Sequence, residues 1–314
     1  MNISSALKGR ETVTGLITNI KRMAIHDGAG LRTTVFFKGC PLRCLWCHNP
    51  DTLSFEQEIG FYDHKCIRCG SCARVCTGGA LEAGGFRAEK CVRCFRCVES
   101  CPVGARELYG TLWDSEALAA KVLEDRAFFE NSGGGVTLSG GECLWQPEFA
   151  EALARSFRQE GLSVDIDTCG YVKFDVFERL IPYTDEFLYD LKAIDPEVHK
   201  RCTGRDNGLI LENLRKLDAL GCRVEIRYPY VPGYNDGECG KIGAFLAGLT
   251  AAAIAKQKGL LLGAVCGLVL WLLILLAGVA RYEGVSGGNA VVKLAALVLS
   301  GGIGGVLGVN LRKR

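Results

Sequence analysis

Gly39-Cys40-Pro41-Leu42-Arg43-Cys44-Leu45-Trp46-Cys47-His48-Asn49-Pro50 is the stretch on which the reading of this chain turns. Its cysteines are spaced C-x3-C-x2-C, and no fourth cysteine falls within the run. Three soft thiolates this close together suit one iron–sulfur cluster. A cubane [4Fe–4S] cluster held by three cysteines keeps one iron without a protein ligand, and that iron can bind a substrate. Structural zinc is the alternative. It normally takes four closed ligands, often as two C-x2-C pairs, and His48 could complete such a set.

The next segment argues against zinc. Cys66-x2-Cys69-x2-Cys72-x3-Cys76 is followed by Cys91-x2-Cys94-x2-Cys97-x3-Cys101-Pro102. This is the bacterial two-cluster ferredoxin spacing written twice, in which the fourth cysteine of each run ligates the other run's cluster. One cluster is therefore expected on Cys66, Cys69, Cys72 and Cys101, and a second on Cys91, Cys94, Cys97 and Cys76. Thr77 stands where the second run has Pro102, a departure that removes no ligand. The natural task of such an insert is to deliver single electrons to the Cys40 cluster.

Several further stretches complete a pattern. They are His26-Asp27-Gly28-Ala29-Gly30-Leu31-Arg32-Thr33-Thr34, Gly133-Gly134-Gly135-Val136-Thr137-Leu138-Ser139-Gly140-Gly141-Glu142, Asp167-Thr168-Cys169-Gly170-Tyr171, Tyr189-Asp190-Leu191-Lys192, and Ile226-Arg227-Tyr228-Pro229-Tyr230-Val231-Pro232-Gly233-Tyr234-Asn235-Asp236. With the cysteines, and in this order, the chain resembles the radical S-adenosylmethionine (SAM) enzymes that activate glycyl radical enzymes, over about residues 14–240.

The resemblance implies a role for each position. Cys40, Cys44 and Cys47 would hold the catalytic cluster. Gly140, Gly141 and Glu142 would meet the amino group of SAM, and Asp190, Lys192 and Arg227 would line the cofactor site. Asp167, Thr168 and Asp190 would ligate a monovalent cation. Asp27, Gly28, Gly30 and Arg32 would lie where the target glycine peptide enters. The implied cofactors are three [4Fe–4S] clusters, SAM and the cation. The implied partners are a glycyl radical enzyme and a flavodoxin- or ferredoxin-type reductant.

Seventeen cysteines in a chain without a cleavable signal peptide read as metal ligands of a reducing, cytoplasmic compartment. Cys143, Cys169, Cys202, Cys222, Cys239 and Cys266 have no metal spacing and are expected as small buried hydrophobes. A net charge of +2 with no basic stripe gives no sign of nucleic-acid binding.

Apolar runs at Thr33–Phe37, Val136–Ser139, Ser163–Asp167, Glu186–Leu191 and Arg223–Tyr228 predict buried parallel strands. Helices are predicted at Ser115–Glu130, Pro147–Glu160, Lys173–Leu180 and Leu209–Leu220. The alternation implies an α/β fold, which the family resemblance specifies as an open, TIM-like (β/α)6 barrel. Only five of its six strands are found, so the barrel is expected to be incomplete. The expected domains are residues 14–54 with 107–240 for the barrel and 55–106 for the ferredoxin-like insert.

From about Lys241 the composition changes. Residues 241–314 carry eight Lys/Arg and one acid, leaving residues 1–240 at −5. Gly259–Ala280 is a run of 22 uncharged residues and Leu294–Leu311 a run of 18, which predict transmembrane helices and a membrane contact over residues 259–311. This stretch resembles small bacterial four-helix membrane proteins, carried by Ala255-Lys256-Gln257-Lys258-Gly259 and the ending Gly304-Gly305-Val306-Leu307-Gly308-Val309-Asn310-Leu311-Arg312-Lys313-Arg314. The chain thus reads as two proteins joined, with radical chemistry impaired by loss of the closing strand. The alternative is a membrane-tethered iron–sulfur electron carrier without radical catalysis.

Overall fold

The computed structural model describes residues 13–82 and 85–236, together with the helical pairs 268–269 and 298–299. It divides into one compact unit of Met1–Lys192 with His199–Pro229, and a second of Ala193–Val198 with Tyr230–Arg314. The described part of the second unit is held by local turns. Asp195 accepts from the backbone of Glu197, and Asn235 accepts from Val231 N at 2.7 Å.

The strands, in chain order, are β1 (Thr14–Ala24), β2 (Arg32–Phe37), β3 (Glu58–Phe61), β4 (Leu81–Glu82), β5 (Gly85–Phe86), β6 (Arg106–Tyr109), β7 (Thr111–Asp114), β8 (Gly135–Gly140), β9 (Ser163–Thr168), β10 (Glu186–Asp190) and β11 (Val224–Arg227). The helices are α1 (Ser71–Arg74), α2 (Arg96–Glu99), α3 (Ser115–Leu123), α4 (Arg126–Ser132), α5 (Pro147–Gln159), α6 (Phe174–Leu180), α7 (Pro196–Thr203) and α8 (Gly208–Ala219).

One seven-stranded sheet runs in the order β11-β10-β9-β8-β2-β1-β7. The five strands from β2 to β11 are parallel, and β1 and β7 extend the sheet antiparallel. Parallel strands need crossover connections, and the helical runs between them supply these. The resulting sheet is covered by helices, which is why β8 and β10 read as nearly continuous apolar runs. The cover is visible in α5, whose Phe149, Ala150, Leu153, Ala154 and Phe157 are buried at helical spacing while its acids and arginines face water. Phe37 meets Phe149 edge-on, and Phe177 packs on Phe187 and Tyr189.

The five predicted parallel strands form where expected. The predicted helix Ser115–Glu130 is instead two helices. Asp125 lies at the break, 1% exposed, and accepts hydrogen bonds from Thr33 Oγ1 on β2 and from Nε of Arg22 on β1. Those bonds draw the chain onto the sheet and leave no room for a continuous helix. The predicted tail spans Gly259–Ala280 and Leu294–Leu311 lie outside the described residues. Among the described residues no helix is long and apolar enough to cross a membrane.

Two strands of the sheet are knotted together by charge. Arg32, which opens β2, is 1% exposed and pairs with Asp165 of β9 at 3.1 Å, across the intervening β8. It also donates to Thr137 Oγ1 and to the Val136 carbonyl. Burial holds the Asp165 carboxyl up at about 6, although Arg32 pulls it down. Removing one partner of a buried pair strands the other charge, which costs about 3–5 kcal/mol. Arg32→Met should therefore destabilise the chain by that order in denaturant titrations at pH 8. A carboxyl whose folded pKa is raised stabilises the fold while protonated and loses that contribution as pH rises through the folded value. The deficit of the variant should thus be smaller at pH 6 than at pH 8, and an equal deficit at both would contradict the pairing.

Candidate active site

The reactive edge is assembled by Gly140-Gly141-Glu142, the sequence that leaves β8. The backbone of Gly141 donates to the Phe37 carbonyl at 2.9 Å, and that of Glu142 to the Gly39 carbonyl at 2.8 Å. These bonds press the end of β8 against the turn that carries Cys40. A side chain would not fit there. A Cβ on Gly140 would stand 2.2 Å from Phe37 N, and one on Gly141 would stand 2.4 Å from Gly39 O. Gly140 also has φ +116°, which glycine alone adopts readily.

Glu142 reaches the other way. It is fully buried, and its carboxylate accepts from Thr168 Oγ1 at 2.8 Å, from Cys169 N at 2.7 Å and from Leu144 N at 3.2 Å. Burial pushes its carboxyl up, against the pull of these donors. One tripeptide thereby clamps the chain leaving β2 to the chain leaving β9.

The loop with Cys40, Cys44 and Cys47 is held from both sides. Gly39 N donates to Thr52 O at 2.7 Å, and Arg43 N to Thr203 O of α7 at 2.8 Å. The Arg43 guanidinium donates to the Cys40 and Leu42 carbonyls. Cys40 packs with Leu42 and Cys169, and burial pushes its thiol up to about 12, with the nearby Glu142 charge adding to the effect. Cys44 is pushed up to about 11, again by burial, although Lys192 pulls it down. Thiols this reluctant to ionise in a dry wall become thiolates when a metal takes the place of the proton.

The three cysteines open on a cavity of about 490 Å³, which is also lined by Gly140, Gly141, Asp167, Thr168, Asp190 and Lys192. Lys192 Nζ pairs with Asp190 at 2.5 Å. Asp167 accepts from Ser139 Oγ at 2.6 Å, and burial followed by the neighbouring Asp190 charge pushes its carboxyl up. Two carboxylates and one ammonium at strand C-termini, beside glycine backbone, can receive a ligand carrying both an ammonium and a carboxylate. The Thr168 hydroxyl donates to Glu142 at 2.8 Å and accepts from Gly170 N at 2.9 Å.

Three predicted positions differ from expectation. Arg32 is sealed under the sheet by Asp165 and cannot meet an incoming peptide; of its loop, Asp27 alone lines the cavity. The Glu142 carboxylate is committed to the β9 end and lies behind the wall, so the tripeptide presents Gly140 and Gly141 backbone instead. Arg227 is not among the lining residues; it donates to Glu225 and to the His26 carbonyl, and its charge still acts on Asp167 and Asp190 in the cavity wall. The loop glycines Gly28 and Gly30 pack against Arg32 with Asp165 and against Gly133-Gly134, respectively. Sequence reading missed Lys21, Trp46, His48, Asn49 and Ser139 as lining residues. Trp46, His48 and Asn49 sit in the cysteine run itself, whereas nothing in the alternation of β1 marks Lys21.

In the segment between β3 and β6, the cysteines surround two voids. Cys66, Cys69, Cys72 and Cys101 line one; Cys76, Cys91, Cys94 and Cys97 line the other. The backbone amides of Ala80 and Ala105 each donate to a sulfur, Cys76 and Cys101, at 3.2 Å. Burial would raise both of these thiols, but surrounding backbone donors outweigh it and lower them. Sulfurs lowered by backbone N–H groups around a void suit iron–sulfur ligation. Among the described residues, no group of three or more His, Cys, Asp and Glu converges on a single metal ion, whereas a cubane spreads its four thiolates over four irons. The cysteines outside these sets behave as expected where described: Cys143, Cys169 and Cys202 are buried and Cys222 is half-buried.

The sequence matches the family described as "Radical SAM superfamily" over residues 34–246. The chain belongs to the radical SAM superfamily. It is 44% identical over 225 residues to the trans-4-hydroxy-L-proline dehydratase activating enzyme of Clostridioides difficile, covering 70% of this chain and 74% of that one. The choline trimethylamine-lyase activating enzyme of Oleidesulfovibrio alaskensis is 43% identical over 230 residues, covering 71% and 74%. The benzylsuccinate synthase activating enzyme of Thauera aromatica is 42% identical over 231 residues, covering 70% of each. Within the superfamily this chain is one of the glycyl radical enzyme activating enzymes. The superfamily implies a [4Fe–4S] cluster and SAM.

The clamp makes a testable demand. Glu142→Gln turns one acceptor oxygen into a donor facing two donors, which should cost about 1–3 kcal/mol of stability in denaturant unfolding. Gly141→Ala should cost the Cys40 loop its place and lower the iron bound there. Wild-type stability and iron content in both variants would contradict the clamp.

Proposed function

We propose that Cys40, Cys44 and Cys47 hold the catalytic [4Fe–4S] cluster and that the cavity they open on binds SAM. When bound, the cluster supplies one electron that splits the C5′–S bond of SAM, giving methionine and a 5′-deoxyadenosyl radical that takes a hydrogen from a glycine Cα of the partner. The chain's own residues prepare this. Gly140 and Gly141 offer backbone carbonyls to the SAM ammonium. Lys192 offers positive charge to its carboxylate, and Asp190 holds that ammonium in place. Asp167, raised by burial and by the neighbouring Asp190 charge, faces with Asp190 the sulfonium side or a monovalent cation. Asp27, which also lines the cavity, stands where the partner's peptide would enter. The single observation that carries this reading is the shared lining: three cysteines, two backbone glycines and the Asp190–Lys192 pair on one cavity at the C-terminal ends of parallel strands.

We further infer two more [4Fe–4S] clusters, one in each cysteine void of a ferredoxin-like insert spanning residues 55–106. The partner is a glycyl radical enzyme, as the relatives' names imply for theirs. Membrane attachment through residues 259–311 rests on sequence alone.

Anaerobic reconstitution should load about twelve irons, four per cubane. Replacing Cys40, Cys44 and Cys47 together by Ala should remove about a third of that iron and abolish the SAM-dependent change in the cluster's EPR spectrum. Full iron retention in the triple variant would sink the assignment.

A further inference from the structure

The two cysteine voids are not equivalent, although their sequences nearly repeat. The ribbon of β3 and β6 leaves the barrel with Glu58 opposite Tyr109 and ends with Phe61 opposite Arg106. Its near end is pinned to the barrel: buried Lys38 of the chain after β2 donates to Glu58 at 2.8 Å, and Gln57 donates to the Gly110 carbonyl. The void of Cys76, Cys91, Cys94 and Cys97 touches Ile59, at this near end. The void of Cys66, Cys69, Cys72 and Cys101 touches Phe61 and Arg106, one pleat further out. Arg93, beside Cys94, is tied back to Glu56. The inner void is thus the one turned to the barrel, and the other is outermost.

The two voids share an exposed edge: Cys69 and Cys94 are both exposed, and Ile67 and Val92 beside them are each 63% exposed. They differ in charge. Around Cys69 stand Lys65, Arg68 and Arg74, all exposed, against Asp63 as the one acid from residue 63 to 76, whereas the matching stretch 88–101 sets Glu89 and Glu99 against Lys90, Arg93 and Arg96, with Arg93 paired to Glu56. Arg74 wraps the sulfur's loop, donating to the Cys69 carbonyl at 3.1 Å and to Ser71 Oγ at 2.9 Å. An exposed apolar residue inside a basic ring, beside an exposed cluster sulfur, matches a protein surface of opposite charge.

Resting on the reading that the insert holds two clusters, we propose that the basic face formed by Lys65, Ile67, Arg68 and Arg74 docks an acidic one-electron carrier protein, so that electrons enter at the outer cage and not at the inner one. In the transfer the carrier is oxidised by one electron and the insert is reduced by one; no bond forms or breaks. A surface built for the glycyl radical partner instead would be the competing outcome.

The test uses the reconstituted full chain, with an acidic flavodoxin as probe. Lys65 and Lys90 occupy the same position of the two runs and are both exposed, so they form a matched pair. At low ionic strength K65E and the double variant R68E/R74E should each weaken flavodoxin binding by about tenfold or more and flatten its salt dependence, while K90E changes it less than about twofold. Stopped-flow reduction by reduced flavodoxin should follow the same order. Reduction by dithionite should be equal in all variants, and iron content unchanged. Equal effects of K65E and K90E would overturn the assignment of the outer face. So would absence of flavodoxin binding by the wild type, or loss of glycyl radical partner binding in R68E/R74E with flavodoxin binding intact. Failure of the underlying reading shows separately, as wild-type iron near four in place of about twelve.

Discussion

The site depends on how closely two strands can approach. Gly140 and Gly141 let the end of β8 lie directly against the turn that leaves β2, at distances no side chain would allow. From that contact the rest follows. The Cys40 loop is hydrogen-bonded to the β8 exit on one side and to Thr52 and Thr203 on others. Glu142, thrown to the opposite face, fixes Thr168 and Cys169 at the end of β9. Asp167 and Asp190 then face the same space as the thiols because their strands end at the same level of one parallel sheet. Of a tripeptide expected to meet the amino group of SAM, the glycines line the cavity with backbone and the acid holds the wall.

Much of the sheet is legible in the sequence because parallel strands covered by helices are largely buried and so carry apolar residues. The runs that become β2, β8 and β10 stand out for that reason, whereas β9 and the edge strand β11, whose Glu225 and Ile226 are exposed, show alternation instead. β1 and β7 do not stand out. β1 carries Thr18, Asn19, Lys21 and Arg22 among its apolar residues, since its outer residues meet solvent, and its antiparallel pairing leaves no helical signature around it. The division of α3 from α4 is equally silent, because it depends on Asp125 finding Thr33 and Arg22, which lie about a hundred residues away.

The chemistry is legible to the extent that it is local. Cysteine spacing already exchanges Cys76 and Cys101 between the two runs, and the two voids show the same exchange. Polar positions were harder. Arg32 and Asp27 belong to one short loop, yet Arg32 serves the buried pair with Asp165 while Asp27 lines the cavity. Which of two neighbouring charged residues points inward is a matter of tertiary pairing and leaves no mark in the motif. The same holds for the two cysteine voids, whose nearly identical runs come to lie nearer and further along the β3–β6 ribbon while Lys38, Glu56 and Glu58 make ion pairs at its base.

The account stands or falls on whether this chain makes a glycyl radical. The direct measurement is EPR of a candidate glycyl radical enzyme incubated anaerobically with the reconstituted chain, SAM and a reductant, with methionine quantified alongside. A glycyl doublet that requires SAM and intact Cys40, Cys44 and Cys47, formed with one methionine per radical, is the predicted result. Methionine released by a fully loaded chain with no radical on any partner of this class would contradict it.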